Sequence, residues 1–245
     1  MTAKYDSIGI NYAQLRQPDP RIAAAIHAAL GQAQTILNVG AGTGSYEPVD
    51  RQVTAVEPSL KMIQQRRPSA ARVIQASAEH LPFADDAFDA SMAILTVHHW
   101  PDKEAGLREM RRVTRGRILL LTFDPSHRPW LTDYLPELLA LDEVHMPAMA
   151  DYARWLGTVK VTPVLVPHDC TDGFVYAYWR RPEMYLDARI RSGSSSFWAL
   201  GNVEAALHRL QQDLATGEWE RRYGELLTRD AYDAGYRLVT ADSPD

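Results

Sequence analysis

The sequence predicts an α/β protein: a doubly wound, mostly parallel sheet with helices on both faces, followed by a helical cover. Three observations lead there. Short runs rich in Val, Ile and Leu alternate with helical stretches as far as Phe123, which is how a parallel sheet covered on both faces reads. The first of these runs ends in glycines at alternate positions, Gly40, Gly42 and Gly44. After Phe123 the alternation gives way to helical, aromatic-rich sequence, and the chain closes on a strand-like run with no helix after it. That last strand is free to run antiparallel to the rest.

The elements follow in order. "RIAAAIHAALG" spaces Ile22, Ile26 and Leu30 four apart, with Pro20 before and Gly31 after, and predicts a helix with start and stop signals. "TILNV", "QVTAVE", "ARVIQA", "AFDASMAI" and "RILLLTF" predict five strands. Between them, "SLKMIQQRR" opens a helix after Pro58 with Ser59 as its cap. "PDKEAGLREMRRV" opens another at Pro101 and spaces Leu107, Met110 and Val113 three apart. Beyond residue 123, "PWLTDYLPELLALDEV" and "MADYARWLG" read as helical, "VKVTPVLVP" as a sixth strand, and "GYRLVTAD" as a seventh. No Pro/Gly/Ser linker divides the chain, so a single domain is expected. Its core spans 20–123 plus strands near 158–166 and 235–241; its helical cover spans 124–157 and 172–230, and an N-terminal lid spans 1–19.

A chain of 245 residues supports a sizeable core. Its net charge of −5 gives no electrostatic reason to expect a nucleic-acid partner. The arginines from Arg108 to Arg117 read as a solvated helix face. The single cysteine, Cys170, excludes an intrachain disulfide and a Cys-rich zinc site, and fits a reducing cytoplasm. No apolar run reaches about 18 residues, so no membrane span is expected. The first 20 residues lack the apolar stretch of a signal peptide.

In a doubly wound sheet, ligands bind outside the carboxyl ends of the strands, where Gly40, Gly42 and Gly44 fall. Glycine lets a ligand approach the backbone closely. The dinucleotide fingerprint G-x-G-x-x-G fails in both registers, because its third glycine is Ser45 in one and Glu47 in the other. A phosphate-binding P-loop fails too, because no Gly-Lys-Ser/Thr follows. The second strand ends in Glu57, where a carboxylate can accept from both hydroxyls of a ribose or can cap the next helix. The third ends in "QASAEHLPF", where Glu79 or the backbone of Ala78 can read the edge of an adenine.

Taken together, "ILNVGAGTGSYE", "AVEPS", "ASAEHLPFADDAFDA" and "VHHW" resemble the class I S-adenosylmethionine-dependent methyltransferases. The nearest branch is the small-molecule one related to the ubiquinone and menaquinone C-methyltransferases. The resemblance covers about residues 5–123 and the terminal "YRLVTA". It implies a Rossmann-like seven-stranded sheet with the last strand antiparallel, and S-adenosylmethionine as cofactor. By position it implies that Gly40, Ala41 and Gly42 line the methionine and ribose, that Glu57 followed by Pro58 holds the ribose hydroxyls, that Ala78 and Glu79 flank the adenine, and that Leu95 sits near the sulfonium. "YDSIGINYAQLR" resembles a lid of this branch, which would bring Tyr12 and Arg16 to the cofactor carboxylate. The family pattern carries Asp where this chain has Asn38.

Methyl transfer needs alignment, exclusion of water and, for a protonated nucleophile, a base. His98 and His99 stand at the exit of the fourth strand and are the candidate bases; on an extended segment only one of them faces the pocket, and His98 is preferred. "PHDCTDGFVYAYWRRP" supplies candidate substrate-lining residues His168, Asp172, Tyr176 and Trp179, and its aromatics suit a flat or apolar substrate while also suiting a core. Three consecutive ligand-type residues do not readily converge on one ion, so no metal is expected. "RSGSSSFW" reads as a hinge or cap before a further helix. The leading expectation is methylation of a small metabolite. Methylation of a peptide or other macromolecule, or a non-catalytic protein that senses the cofactor, stays open. The pattern specifies no oligomeric state.

Overall fold

The computed structural model describes residues 15–69 and 71–243. Among these, nine strands form: β1 (Thr35–Val39), β2 (Gln52–Val56), β3 (Arg72–Ile74), β4 (Phe88–Ile94), β5 (Thr114–Phe123), β6 (Lys160–Pro163), β7 (Val166–Pro167), β8 (Ala231–Tyr232) and β9 (Tyr236–Ala241). Seven make one sheet in the order β3-β2-β1-β4-β5-β9-β6. The first five pair in parallel, with Thr35 opposite Gln52 and Ile36 opposite Ala90. Strand β9 runs antiparallel to both of its neighbours, β5 and β6. The terminal strand therefore lies inside the sheet, one strand in from the edge.

The run "VKVTPVLVP" is two strands. The ladder to β9 carries one bond past Pro163, from the Val164 amide to Tyr236 O at 2.9 Å. The chain leaves the sheet there, and β7 pairs antiparallel with β8.

Alternation along β5 sorts its side chains onto two faces. Leu119, Leu121 and Phe123 join one core with Ile22 and Ile26 of α1 (Pro20–Ala29). Ile118 and Leu120 join the other, with Leu107, Met110 and Val113 of the helix over Lys103–Val113. The Asp19 carboxylate caps α1 by accepting from the Arg21 amide at 3.0 Å. Ser59 caps α2 (Leu60–Gln64), accepting from the Met62 amide at 3.3 Å. Helix α3 (Lys103–Val113) begins two residues later than its proline suggested, because Asp102 takes the cap and accepts from the Ala105 amide at 2.9 Å.

The cover contains α4 (Glu137–His145), α5 (Met149–Leu156), α6 (Ala188–Arg191), α7 (Ser195–Ala199), α8 (Glu204–Thr216) and α9 (Glu218–Tyr223). Pro136 splits the first expected cover helix, so a short 3-10 turn at Trp130–Asp133 precedes α4. Trp130 is the hub of the cover: its ring lies 5.3 Å from Trp219 and 5.7 Å from Tyr185, both edge-on. Most arginines of the Arg108–Arg117 stretch are tied to acids, Arg108 to Glu104, Arg112 to Glu109 and Asp85, Arg115 to Asp89 and Arg117 to Asp242, while Arg111 donates to Gly116 O and Ser243 Oγ.

Candidate active site

Strand order reverses between β1 and β4, since β1 pairs with β2 on one side and β4 on the other. A crevice opens at the carboxyl ends of such a pair. The glycine loop leaves β1 there. Gly40 and Ala41 both donate their amides to Val56 O, at 2.9 and 3.0 Å, and this curls the loop over the end of β2. Gly40 has φ +67, and a Cβ on it would overlap Thr96 Oγ1. Gly44, at φ +88, would set a Cβ 3.0 Å from the Arg66 guanidinium.

That arginine is part of a buried network under the loop. Arg66 pairs with Glu47 at 2.6 Å, with both side chains under 10% exposed. Asn38 donates Nδ2 to Glu47 Oε1 at 2.9 Å. An aspartate at 38 would set a second carboxylate against Glu47, so Asn fits where the family pattern has Asp. Neither Glu47 nor Arg66 was marked by the sequence patterns; an acid nine residues after Asn38 was the only available signal. Asn38 Oδ1 is buried with no hydrogen-bond partner.

Glu57 is 5% exposed. Its Oε2 accepts from the Gly42 amide at 2.8 Å and its Oε1 from the Ser59 amide at 2.9 Å. It therefore braces the glycine loop against the start of α2. Glu79 Oε1 accepts from the Asp102 amide at 3.3 Å. Leu95 sits at φ +50, a conformation that costs a non-glycine residue energy and that clusters at functional sites.

These residues surround one cavity of about 350 Å³. Arg16, Gly40, Ala41, Gly42, Glu57, Pro58, Ala78, Glu79 and Leu95 all line it. Tyr12 lies outside the described residues. Asn38, Tyr46, Met62, His99 and Trp100 line it as well. Trp100 lies against Gly106 of α3, where any Cβ would stand 2.5 Å from the ring.

A second cavity of about 330 Å³ adjoins the first, and the two share His99, Trp100 and Pro101. Its other walls include His98, Lys103, Asp142, His145, Ser195 and Ser196. The two histidines sit on a 3-10 turn, Val97–His99, not on extended chain. The expectation that they point opposite ways is thereby corrected: their rings lie 3.8 Å apart. Both line the second cavity, and His99, not His98, also reaches the first. Asp142, which no sequence pattern marked, is 4% exposed. The Tyr176 hydroxyl donates to its Oδ2 at 3.0 Å. Burial pushes the Asp142 carboxyl up from its ordinary 3.8 to about 6, against smaller opposing effects of Tyr176 and Arg128.

The loop of expected substrate-lining residues is placed elsewhere. Tyr176 and Trp179 are each 1% exposed and belong to the core; Trp179 donates Nε1 to Val166 O at 3.0 Å. His168 stands beside the β7–β8 pair, its amide bonded to Asp230 O at 2.9 Å. Asp172 is fully buried beneath the first cavity. Tyr176 and Trp179 sit inward because the loop carries the aromatics that fill the cover. Among the described residues, no group of three or more His, Cys, Asp or Glu side chains is placed to hold a metal ion. No helix among them is long and apolar enough to cross a membrane.

A methyltransferase-domain family model matches residues 37–120, the stretch from β1 to the middle of β5. A crystal structure from Anabaena variabilis, described as a candidate methyltransferase from an antibiotic biosynthesis pathway, is 39% identical with a TM-score of 0.86. That match covers 94% of this chain and 99% of the other. The demethylmenaquinone methyltransferase of Paenarthrobacter aurescens is 32% identical over 149 residues, which are 56% of this chain and 58% of that protein. The uncharacterized protein YafE of Escherichia coli is 35% identical over 133 residues, 50% of this chain and 63% of that protein. The chain thus spans less than two thirds of the length of these curated relatives. The first cavity fits the family's cofactor in its chemistry: a glycine loop at positive φ along its wall, a buried acid at the end of β2, and the orphaned acceptor of Asn38. With near-complete coverage of a relative at that identity, and the switch-point crevice as its structural counterpart, the chain belongs to the class I S-adenosylmethionine-dependent methyltransferases.

Proposed function

We propose that the protein transfers a methyl group from S-adenosylmethionine to a small metabolite, and that the metabolite occupies the second cavity. The adjoining of the two cavities through His99, Trp100 and Pro101 carries this reading. About 330 Å³ is at the low end of the range for small-molecule sites. Leu141, Met146 and Trp100 give it apolar walls, which suit an apolar or aromatic acceptor.

When bound, the cofactor supplies the electrophilic methyl. The residues of this chain do the rest. Gly40, Ala41 and Gly42 hold the cofactor by backbone approach, Glu57 takes its ribose hydroxyls, Ala78 and Glu79 border its adenine, and Leu95 lies at the reacting end. His99, Trp100 and Pro101, which line both cavities, would orient the acceptor toward the cofactor, and such alignment is worth much of the rate of a displacement. His99, with the His98 ring tilted against it, accepts a proton from an acceptor that carries one. Asp142 and Lys103 set the charge of the acceptor chamber.

Incubation with S-adenosylmethionine carrying a tritiated methyl, in extracts separated into small-molecule, peptide and RNA fractions, tests the substrate class. Label in the small-molecule fraction is expected. Label confined to peptide or RNA contradicts the proposal and favours a macromolecular acceptor.

A further inference from the structure

Asp172 is the meeting point of three chain segments far apart in sequence. Arg16 donates Nε to its Oδ1 at 2.5 Å and Nη2 to its Oδ2 at 3.4 Å. The Tyr46 hydroxyl donates to Oδ2 at 2.8 Å. Arg16 and Asp172 also form an isolated antiparallel bridge, and the Gly173 amide donates to Leu15 O at 3.1 Å. A Cβ on Gly173 would lie 2.7 Å from Leu15 O, so only glycine lets the 15–16 segment rest on this loop. Next to it, the Thr171 amide donates to Asp19 Oδ2 at 3.2 Å. Asp172 itself is fully buried and Arg16 is 11% exposed.

Both partners of Asp172 line the first cavity at its glycine-loop end. Tyr46 follows Gly44 directly after Ser45 and is held at φ +67, which a bulky residue adopts only under constraint. Its hydroxyl donates to Asp172 and accepts from the Asp19 amide at 3.4 Å, and its carbonyl lies 3.0 Å from His27 Nε2, which together hold it there. Burial, followed by the Asp172 carboxylate, keeps the phenol well above its ordinary range, so it remains a donor. A guanidinium is a rigid fork of five donors, and Asp172 engages two of them. A fork fixed before the ligand arrives loses less freedom on binding.

We propose that Asp172 is a positioning residue: it fixes the Arg16 guanidinium and the Tyr46 ring at the glycine-loop end of the cavity, where Arg16 meets the amino-acid carboxylate of the cofactor. The inference rests on the S-adenosylmethionine reading of that cavity. It also explains why a residue of the cover is built so deeply into the floor of the cofactor site. Asp172 orders the segment that borders the cavity.

Two ligands separate this role from a purely structural one. S-adenosylhomocysteine carries the amino-acid end; methylthioadenosine keeps the adenosine and the sulfur but lacks that end. Calorimetric titration of the Asp172→Asn variant should show S-adenosylhomocysteine weakened about tenfold and methylthioadenosine bound as by the wild type. Tyr46→Phe removes one hydroxyl and should shift the first ligand in the same direction by less, and it carries the test if Asp172→Asn does not fold. Equal loss of both ligands, or no loss of either, overturns the positioning role. Wild-type protein that binds neither ligand overturns the S-adenosylmethionine reading, and the positioning role with it.

Discussion

Asp142→Asn should make the protein more stable at neutral pH, and the structure sets how much. The wild-type carboxyl titrates near 6 in the folded state against 3.8 ordinarily, because it is buried. A difference of about 2 in pKa is worth about 3 kcal/mol at roughly 1.36 kcal/mol each. A raised carboxyl pKa means that the folded state holds the proton more tightly than the unfolded state. Its contribution is fully present below pH 3.8 and is lost as pH rises through about 6. Asparagine keeps the shape and can still accept from Tyr176, but never ionises. Some of the gain is offset because Tyr176 donates more strongly to a carboxylate than to an amide. A net gain of about 1–2 kcal/mol above pH 7 remains, or roughly 2–8 °C in Tm for a chain of this size. Urea denaturation of both proteins from pH 4.5 to 8 measures it. The stability difference should grow between pH 4.5 and 7 and then level off. A difference independent of pH, or one that favours the wild type more as pH rises, would refute the reasoning.

Four further outcomes follow from the site. Asn38→Asp sets a carboxylate against Glu47 and removes the donor to it; it should destabilise by about 1–3 kcal/mol at pH 7 and less near pH 4, read by the same denaturation series. Gly40→Ala demands a left-handed alanine in overlap with Thr96, so S-adenosylhomocysteine affinity should fall at least about tenfold by calorimetry. Glu57→Gln keeps the side-chain volume while leaving one of the Gly42 and Ser59 amides facing an NH2 group, and should weaken adenosyl ligands and lower Tm together. His99→Ala should cut the single-turnover methyl-transfer rate about 100-fold or more for an acceptor that loses a proton, while His98→Ala costs less; equal, small losses in both would remove the base from the mechanism.

Much of the sheet was legible because its strands are buried on both faces and so read as apolar runs. "TILNV" is β1 residue for residue, and β4 and β5 follow their runs closely. The glycine loop was legible for the same kind of reason: Gly40 and Gly44 answer local demands of φ and space. What local pattern cannot carry is partnership across the fold. Asp142 looks like any acid on a helix until Tyr176, 34 residues away, donates to it. Asp172 stood out, but for the wrong neighbour: its partners Arg16 and Tyr46 lie 156 and 126 residues away. Tyr176 and Trp179 looked equally suited to a pocket and to a core, and hydrogen bonds to Asp142 and Val166 decide for the core. The histidine pair was placed at the right strand exit, but its geometry depended on whether the chain there is extended or turned; on the 3-10 turn both rings line the second cavity and His99 also reaches the first. Chain departure after Val164 is of the same kind, since a strand-like sequence continues where the ladder does not.

The central claim is that the crevice between β1 and β4 holds S-adenosylmethionine by its glycine loop and Glu57. Calorimetric titration of the purified protein with S-adenosylmethionine, S-adenosylhomocysteine and NAD, alongside Gly42→Trp and Glu57→Ala, tests it most directly. The account predicts micromolar binding of the two adenosyl ligands, lost in both variants, and no binding of NAD. Binding of NAD in their place, or no adenosyl binding at millimolar ligand, would contradict it.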